Sequence, residues 1–399
     1  MVGLGFKPVE SKVKELFLKA VFVTGFKGSR KLVESLPFYE SIKSKCEFFE
    51  KLEEVLTNIS KHLEKGSVIV VASGDPFYFG IGEVLIKKFG TNKVELYPDL
   101  SSLQKGASAL KLKWWEFKSL SFHGKKLDKE KLLKSLFTYK KLAILTDPKN
   151  TPSEIARLLL AEDVRVDFAV CEKLGSEEER CSFYELEEVV KKDFFYPNIV
   201  FLVLKEEIKG YGLREEEFLT QGGMITKDEV RAIILHKLRL YDAKVFWDIG
   251  AGSGSVSIEA GFLNPELKIF AIEKDPRMCE VAKENIKRFR AYQVKLVEGE
   301  APECLQNLPK ADRVFVGGSS GRLKDILNFL KRLDTLEVVL IAGVTLNTVL
   351  EALSAFNPED WNRRVSEVFV ARESPLKTSR ILKALNPIFL ISFEKNKGV

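Results

Sequence analysis

The stretch Val245–Gly261 reads VFWDIGAGSGSVSIEAG. Large apolar residues run into an acid, Asp248, and glycines then stand at every second position, Gly250, Gly252 and Gly254. The apolar run has strand length, and the segment from about Ser255 has helical character, so the glycines form a strand-to-helix loop. Backbone N–H groups at a helix start attract negative charge, and glycines let a ligand approach the main chain. A dinucleotide fingerprint would read GxGxxG; the spacing here is GxGxG, with a carboxylate two residues ahead.

That carboxylate narrows the ligand. An acid just before the loop suits a cationic amino-acid group better than a pyrophosphate. The next strand, KIFAIE, ends in Glu273, which is placed to accept hydrogen bonds from ribose hydroxyls. S-Adenosylmethionine carries an ammonium, a ribose and a reactive sulfonium. The expected cradle is Asp248, Gly250, Ala251, Gly252, Ser253, Gly254 and Glu273. DIGAGSGS followed by AIEKD resembles the Rossmann-like methyltransferases. By that resemblance VEGEAPECL, which follows the next strand, supplies Glu300 and Ala301 to the adenine end.

The chain is 399 residues long, more than one ordinary core requires. Its 45% apolar and 30% charged content is that of a globular protein. A net charge of +6, from 63 basic and 57 acidic residues, is too small to call for nucleic acid and suits a polyanionic small molecule. No apolar run has membrane-span length, and the N-terminus lacks a signal-peptide layout. The five cysteines are scattered without CxxC spacing, so neither a metal site nor a disulfide frame is expected, and the expected location is cytoplasmic.

Strand-like runs VFVTG, SVIVVASG, KVELYP, KLAILTD, VDFAVCEKL and NIVFLVL alternate with helical segments such as FFEKLEEVLTNISKHLEKG and TPSEIARLLLAE. Alternation of this kind predicts an α/β fold with mainly parallel pairing. After Leu204 the charged, glycine-punctuated KEEIKGYGLREEEF reads as a connection. A second series follows: the helix TKDEVRAIILHKLRL, then KVFWDIG, KIFAIEKD, VKLVEG, RVFVGG and EVVLIAG. The expected organisation is one domain over 1–206, a linker over 207–211 and a second domain over 212–399.

In the first half, SVIVVASGDPFYFGIG takes a buried strand through Gly74-Asp75-Pro76 into a glycine-rich helix start. Asp75 can cap that helix or meet a cation. Further along come PDLSSLQ with Ser101 and Ser102, then LSFHG, AILTD and CEKLG. In that order these motifs resemble the tetrapyrrole (corrin/porphyrin) methylase family, whose fold has two α/β lobes. ITKDEVRA, WDIGAGSGSVSIE and VFVGGSSG extend the resemblance to tetrapyrrole methylases fused to a Rossmann-like precorrin methyltransferase. The chain departs from the family at Phe6–Lys7, where Pro-Gly is usual, and at Asp99, where Gly is usual.

The resemblance implies S-adenosylmethionine in each domain and a precorrin or cobalt-precorrin as substrate. It implies methylation at C5 by the first domain, and methylation at C15 with loss of the C12 acetate carboxyl by the second. It also implies a homo-oligomer. Gly74, Asp75, Ser101, Ser102 and Thr226 are then further cofactor candidates. Arg30, Lys227, Arg231 and Arg322 are candidates for the substrate's carboxylates, since charge-assisted hydrogen bonds suit acetate and propionate groups. Lys227 and Arg231 are four apart and should share a helix face. His123 is the candidate for a catalytic contact; no nucleophilic triad is present, and methyl transfer to an electron-rich carbon needs alignment rather than a covalent nucleophile. Trp114–Trp115 should pack in a core or between lobes. The alternative is a tandem RNA methyltransferase, although VFVGGSSG replaces an NPPY-like loop and no long basic tract is present.

Overall fold

The computed structural model describes residues 1–207, 209–376 and 379–396. The chain forms two compact units, Met1–Glu206 and Glu207–Val399. Residue 208, within the expected linker, lies outside the described residues.

Unit 1 contains two sheets. The first holds β1 (Val2–Leu4), β2 (Phe22–Phe26), β3 (Cys46–Phe49) and β4 (Val68–Ser73), in the order β1-β4-β2-β3, all parallel. Its strands are covered on both faces. Val2, Leu4, Val23 and Val71 enter one core, while Val70 packs with Ile59 and Leu85 in another. The second sheet holds β5 (Lys118–Ser121), β6 (Lys141–Leu145), β7 (Val166–Glu172), β8 (Arg180–Tyr184) and β9 (Asn198–Leu204), in the order β5-β6-β9-β7-β8. Only β5 and β6 run parallel; the other three pairings are antiparallel.

Three expectations fail in unit 1. KVELYP forms no strand; Tyr97 alone makes an isolated bridge to Val2. Trp114 and Trp115 are exposed, edge to face, on a short 3₁₀ turn rather than in a core. Cys171 and Cys181, read as unpaired, are joined in a disulfide. They are direct partners in the β7–β8 register, a proximity that ten residues of sequence separation do not reveal.

Unit 2 is built on β10 (Val245–Ile249), β11 (Lys268–Glu273), β12 (Val294–Glu298), β13 (Arg313–Val316) and β14 (Val338–Gly343), followed by β15 (Trp361–Val368), β16 (Ala371–Leu376), β17 (Ser379–Ala384) and β18 (Ile388–Lys395). The sheet order is β12-β11-β10-β13-β14-β18-β15. The first five strands are parallel, β18 runs antiparallel to β14, and β15 runs antiparallel to β18. β16 and β17 form a separate hairpin.

Strand alternation divides the parallel residues between two cores. Phe246, Ile269 and Leu340 enter one; Trp247, Phe270 and Val339 enter the other. Burial on both faces is why these strands read as near-continuous apolar runs. The order reverses at β10, whose neighbours are β11 and β13. Ligands of open α/β sheets bind at such a switch point, beyond the carboxyl ends of the strands.

Part of the charged connection belongs to unit 2. Leu213 and Phe218 are buried in its core, and Glu259 accepts the backbone N–H groups of Gly212 and Leu213 at 2.7 and 2.6 Å. No helix among the described residues is long and apolar enough to cross a membrane.

Candidate active sites

In unit 2 the loop from Gly250 to Gly254 joins β10 to the helix Ser255–Leu263. Gly250 has φ +75°, and a Cβ there would stand 2.5 Å from the carbonyl oxygen of Gly318. Two backbones thus approach at the switch point in a way only glycine permits. The loop is held from the β11 side. Gly250 and Ala251 both donate to the carbonyl of Ile272, and Gly252 donates to Glu273 Oε2 at 2.9 Å. Glu273 Oε1 takes the N–H groups of Lys274 and Asp275. One carboxylate at a strand end therefore shapes the loop while facing the same cavity.

That cavity, about 130 Å³, brings together Gly250, Glu273, Glu300 and Ala301 with Gly318, Ser319 and Ser320. Glu300 is also paired with Lys274 at 2.9 Å. Ala251, Gly252, Ser253 and Gly254 do not line it. Ser253 is buried with its carbonyl bound to Asn285, and Gly254 is the left-handed residue preceding the helix. Ser319 and Ser320 were not among the sequence candidates, although VFVGGSSG marks them.

Asp248 is placed differently from expectation. It is 1% exposed and does not line the cavity; its Oδ2 accepts the Ser257 hydroxyl at 2.7 Å, and Oδ1 is buried without a partner. Burial raises its carboxyl to about 7, against the hydrogen bonds from Ser257. It offers no open carboxylate to an ammonium while the loop keeps this shape.

The basic candidates of unit 2 are engaged elsewhere. Arg231 is 0% exposed, so it is not available to a substrate. Its Nε meets Glu259 Oε2 at 2.5 Å, and its other donors reach the carbonyls of Thr226 and Leu213. Helical spacing placed it beside Lys227, but Lys227 is the residue before the helix Asp228–Leu238 and pairs with Glu215 at 2.7 Å. Thr226, one residue further out, does not cap that helix through its side chain. Arg322 holds Glu303 bidentately at 2.6 and 2.7 Å.

One acidic cluster escaped sequence reading. Glu215, Asp228 and Glu229 gather around Arg372 on β16. The Arg372 bond holds the Glu229 carboxyl down at about 2. Arg372, which reaches all three carboxylates, and Lys227, which pairs with Glu215, are the cations that hold the cluster together.

In unit 1 a cavity of about 670 Å³ brings together Asp75, Ser102 and His123 from three separate motifs. Gly74 supports it from behind: at φ +65° its Cβ position would lie 2.7 Å from the Leu100 carbonyl and 2.9 Å from the Phe6 ring. Ser101 does not line the cavity. Its hydroxyl caps the helix Ser102–Ala109 by accepting the Gln104 N–H, and Gln104 accepts the Ser101 N–H in return. Arg30 is exposed, away from the cavity lining, and paired with Glu34 at 2.7 Å. Tyr78 and Tyr196 are lining residues absent from the sequence candidates. Burial raises the Tyr78 phenol to about 12. The Tyr196 hydroxyl lies 3.4 Å from His123 Nδ1.

Fold and site together define the class. Glycine-cradled cavities at strand ends, one with a carboxylate closing the second strand of a Rossmann-like sheet, are those of an α/β methyltransferase. Residues 8–190 match the family described as Tetrapyrrole (Corrin/Porphyrin) Methylases, and residues 217–395 match the family described as Precorrin methyltransferase domain. The chain belongs to the precorrin methyltransferases, with a tetrapyrrole methylase domain ahead of the precorrin methyltransferase domain.

It is 36% identical over 187 residues to the "Probable cobalt-precorrin-6B C(15)-methyltransferase (decarboxylating)" of Sulfurisphaera tokodaii, covering 46% of this chain and 97% of that one. It is 31% identical over 258 residues to the "Precorrin-6Y C(5,15)-methyltransferase [decarboxylating]" of a Sinorhizobium species, covering 63% of this chain and 62% of that one. Among solved structures, a precorrin-6Y C5,15-methyltransferase from Geobacter metallireducens GS-15 is 42% identical, with a TM-score of 0.44, covering 46% of this chain and 98% of that one.

Proposed function

We propose that the chain methylates a precorrin or cobalt-precorrin at C5 and C15 and removes the C12 acetate carboxyl as carbon dioxide, in corrin-ring biosynthesis. Unit 1 carries the C5 reaction; unit 2 carries the C15 reaction and the decarboxylation. The observation that carries this reading is that each of the two family matches falls on a compact unit with its own candidate cavity. The RNA-methylating alternative draws no support from these matches.

The residues present fit S-adenosylmethionine, whose sulfonium supplies the methyl group. In unit 2 Gly250 and Gly318 line the cavity with main chain and no side chain, Glu273 lines it as the acceptor proposed for the ribose, and Glu300 and Ala301 follow the next strand end. In unit 1, Asp75 and Ser102 face the cavity, and the buried Tyr78 hydroxyl contributes a further polar group. These side chains orient and exclude water; none is a nucleophile. The exposed apolar residues Leu376, Ile381 and Leu382 on the β16–β17 hairpin support a homo-oligomer as part of the same reading.

Incubation of the intact chain with precorrin-6B and S-adenosylmethionine, with and without cobalt in the macrocycle, tests the proposal by mass. The expected product has gained two methyl groups and lost one carbon dioxide. Calorimetry with S-adenosylhomocysteine should give two equivalents per chain. An unchanged macrocycle in both incubations, or methyl transfer to RNA instead, would overturn the reading.

A further inference from the structure

The unit 1 cavity is lined by one acid, Asp75, and by the hydroxyls of Ser73, Ser102, Ser119 and Ser121, while its basic groups, His123, Lys125 and Lys131, all come from one short segment. Several lysines in this part of the unit have acidic partners: Lys105 has Glu179, Lys141 has Glu116 and Lys173 has Glu178. Among the described residues, Lys125 and Lys131 form no ion pair; Lys131 lies 5.9 Å from the Phe122 ring centroid. Two unpaired ammonium groups facing a cavity of this size are a recognition element for anions.

The loop that carries them is held from beneath. Asn150 is 6% exposed, and its amide donates to the carbonyls of Phe122 and Lys125 at 2.8 and 2.6 Å and accepts the Leu127 N–H at 3.0 Å. Asp147 accepts the Gly124 N–H at 2.8 Å and the Asn150 N–H at 2.7 Å. An exposed loop tied at both ends and in its middle presents its side chains from a fixed backbone, which lowers the ordering cost of binding.

We propose that Phe122–Leu127 and the first turn of the helix Lys129–Tyr139 form the carboxylate-recognising rim of unit 1, in which Lys125 and Lys131, beside His123, hold acetate and propionate groups of the macrocycle. Asp147 and Asn150 are its positioning residues. This rests on the function proposed above and adds to it the side chains that select a carboxylate-bearing macrocycle over a bare one.

The probe is uroporphyrin, a stable tetrapyrrole bearing an acetate and a propionate on every ring, with its methyl ester as control. The reading is hydrogen exchange of peptides spanning residues 120–132 in the intact chain, which reports on this rim alone. Free uroporphyrin should protect these peptides and the ester should not. In Lys125→Gln/Lys131→Gln the concentration giving half protection should rise about ten-fold or more, while Lys125→Arg/Lys131→Arg stays close to wild type. S-Adenosylhomocysteine binding should remain at two equivalents in both variants, showing that the cavity is intact. Protection by the ester equal to that by the free acid, an unchanged midpoint in the glutamine variant, or no protection in the wild type overturns the rim. One equivalent of S-adenosylhomocysteine in the wild type instead overturns the underlying assignment of a cofactor to each unit.

Discussion

Asp99 and Phe6 lie 93 positions apart, and a carboxylate oxygen of the first accepts the backbone N–H of the second at 2.7 Å. The same oxygen takes the Lys7 N–H at 3.1 Å, and the other takes the Leu100 N–H at 2.6 Å. The two places where this chain departs from its family's pattern are therefore one feature. A loop without Pro-Gly is held by an acid where glycine is usual, and the Phe6 ring fills the space left by Gly74 and Gly175. Asp99→Gly, which restores the family's usual residue on one side only, should destabilise unit 1 by about 2–4 kcal/mol, since three backbone donors lose a charged acceptor. Thermal melting and a C5 assay should both show the loss, with C15 methylation unchanged.

Glu273→Ala should weaken S-adenosylmethionine and S-adenosylhomocysteine alike by roughly 1.5–3 kcal/mol at the unit 2 site, the scale of hydrogen bonds to a charged group. Adenosine should lose as much, because it keeps the ribose. The substitution also frees the Gly252 N–H, so hydrogen exchange in the glycine loop should quicken. Calorimetric titration with the three ligands is the check. Equal affinities before and after would remove Glu273 from the ribose site.

Asp248 should make stability fall as pH rises. Its folded carboxyl titrates near 7, against an ordinary value of 3.8. Between those limits the folded chain holds a proton that the unfolded chain has released, so raising pH favours unfolding. The penalty grows from about pH 4 and is complete above 7, at most about 4 kcal/mol. Asp248→Asn, which keeps the shape without the charge, should melt higher than wild type at pH 8 and lose that advantage near pH 4. A difference in melting temperature that is flat across this range would show that Asp248 does not bind a proton in the fold.

Arg231→Ala should cost about 3–5 kcal/mol, because it strands the Glu259 carboxylate in a dry interior. A substrate-binding arginine would instead raise KM and leave stability nearly unchanged. Denaturant unfolding paired with KM for the macrocycle distinguishes the two. Arg231→Met/Glu259→Leu, which removes both charges, should recover much of the loss.

The parts of the fold legible in sequence are those whose burial is uniform. β9, β10 and β14 are covered on both faces, so their apolar runs give their position almost to the residue. The glycine loop was legible because its conformation tolerates few other residues. β15 and β17 carry mostly exposed side chains and leave no apolar signature. Phe48 and Phe49 were read into the following helix; as two adjacent aromatics they fit either period, and β3 takes them. Site residues divided along a similar line. Glu273, Asp75 and His123 are set by local motifs and line their cavities. The fates of Arg231, Arg30 and Arg322 depend on which carboxylate the folded chain brings near, and spacing along one strand or helix does not carry that information.

The reversal of β18 against β14 has a practical use. Register pairs Val338 with Glu394 and Gly343 with Phe389, so Lys395 emerges beside the amino-terminal end of β14. The glycine loop opens at the opposite, carboxyl-terminal end of the parallel strands. A fluorophore or resin linkage attached at Lys395 would thus stand about one strand length, roughly 17–20 Å, from Gly250. Immobilised this way, unit 2 would be gripped at the strand end opposite its glycine loop.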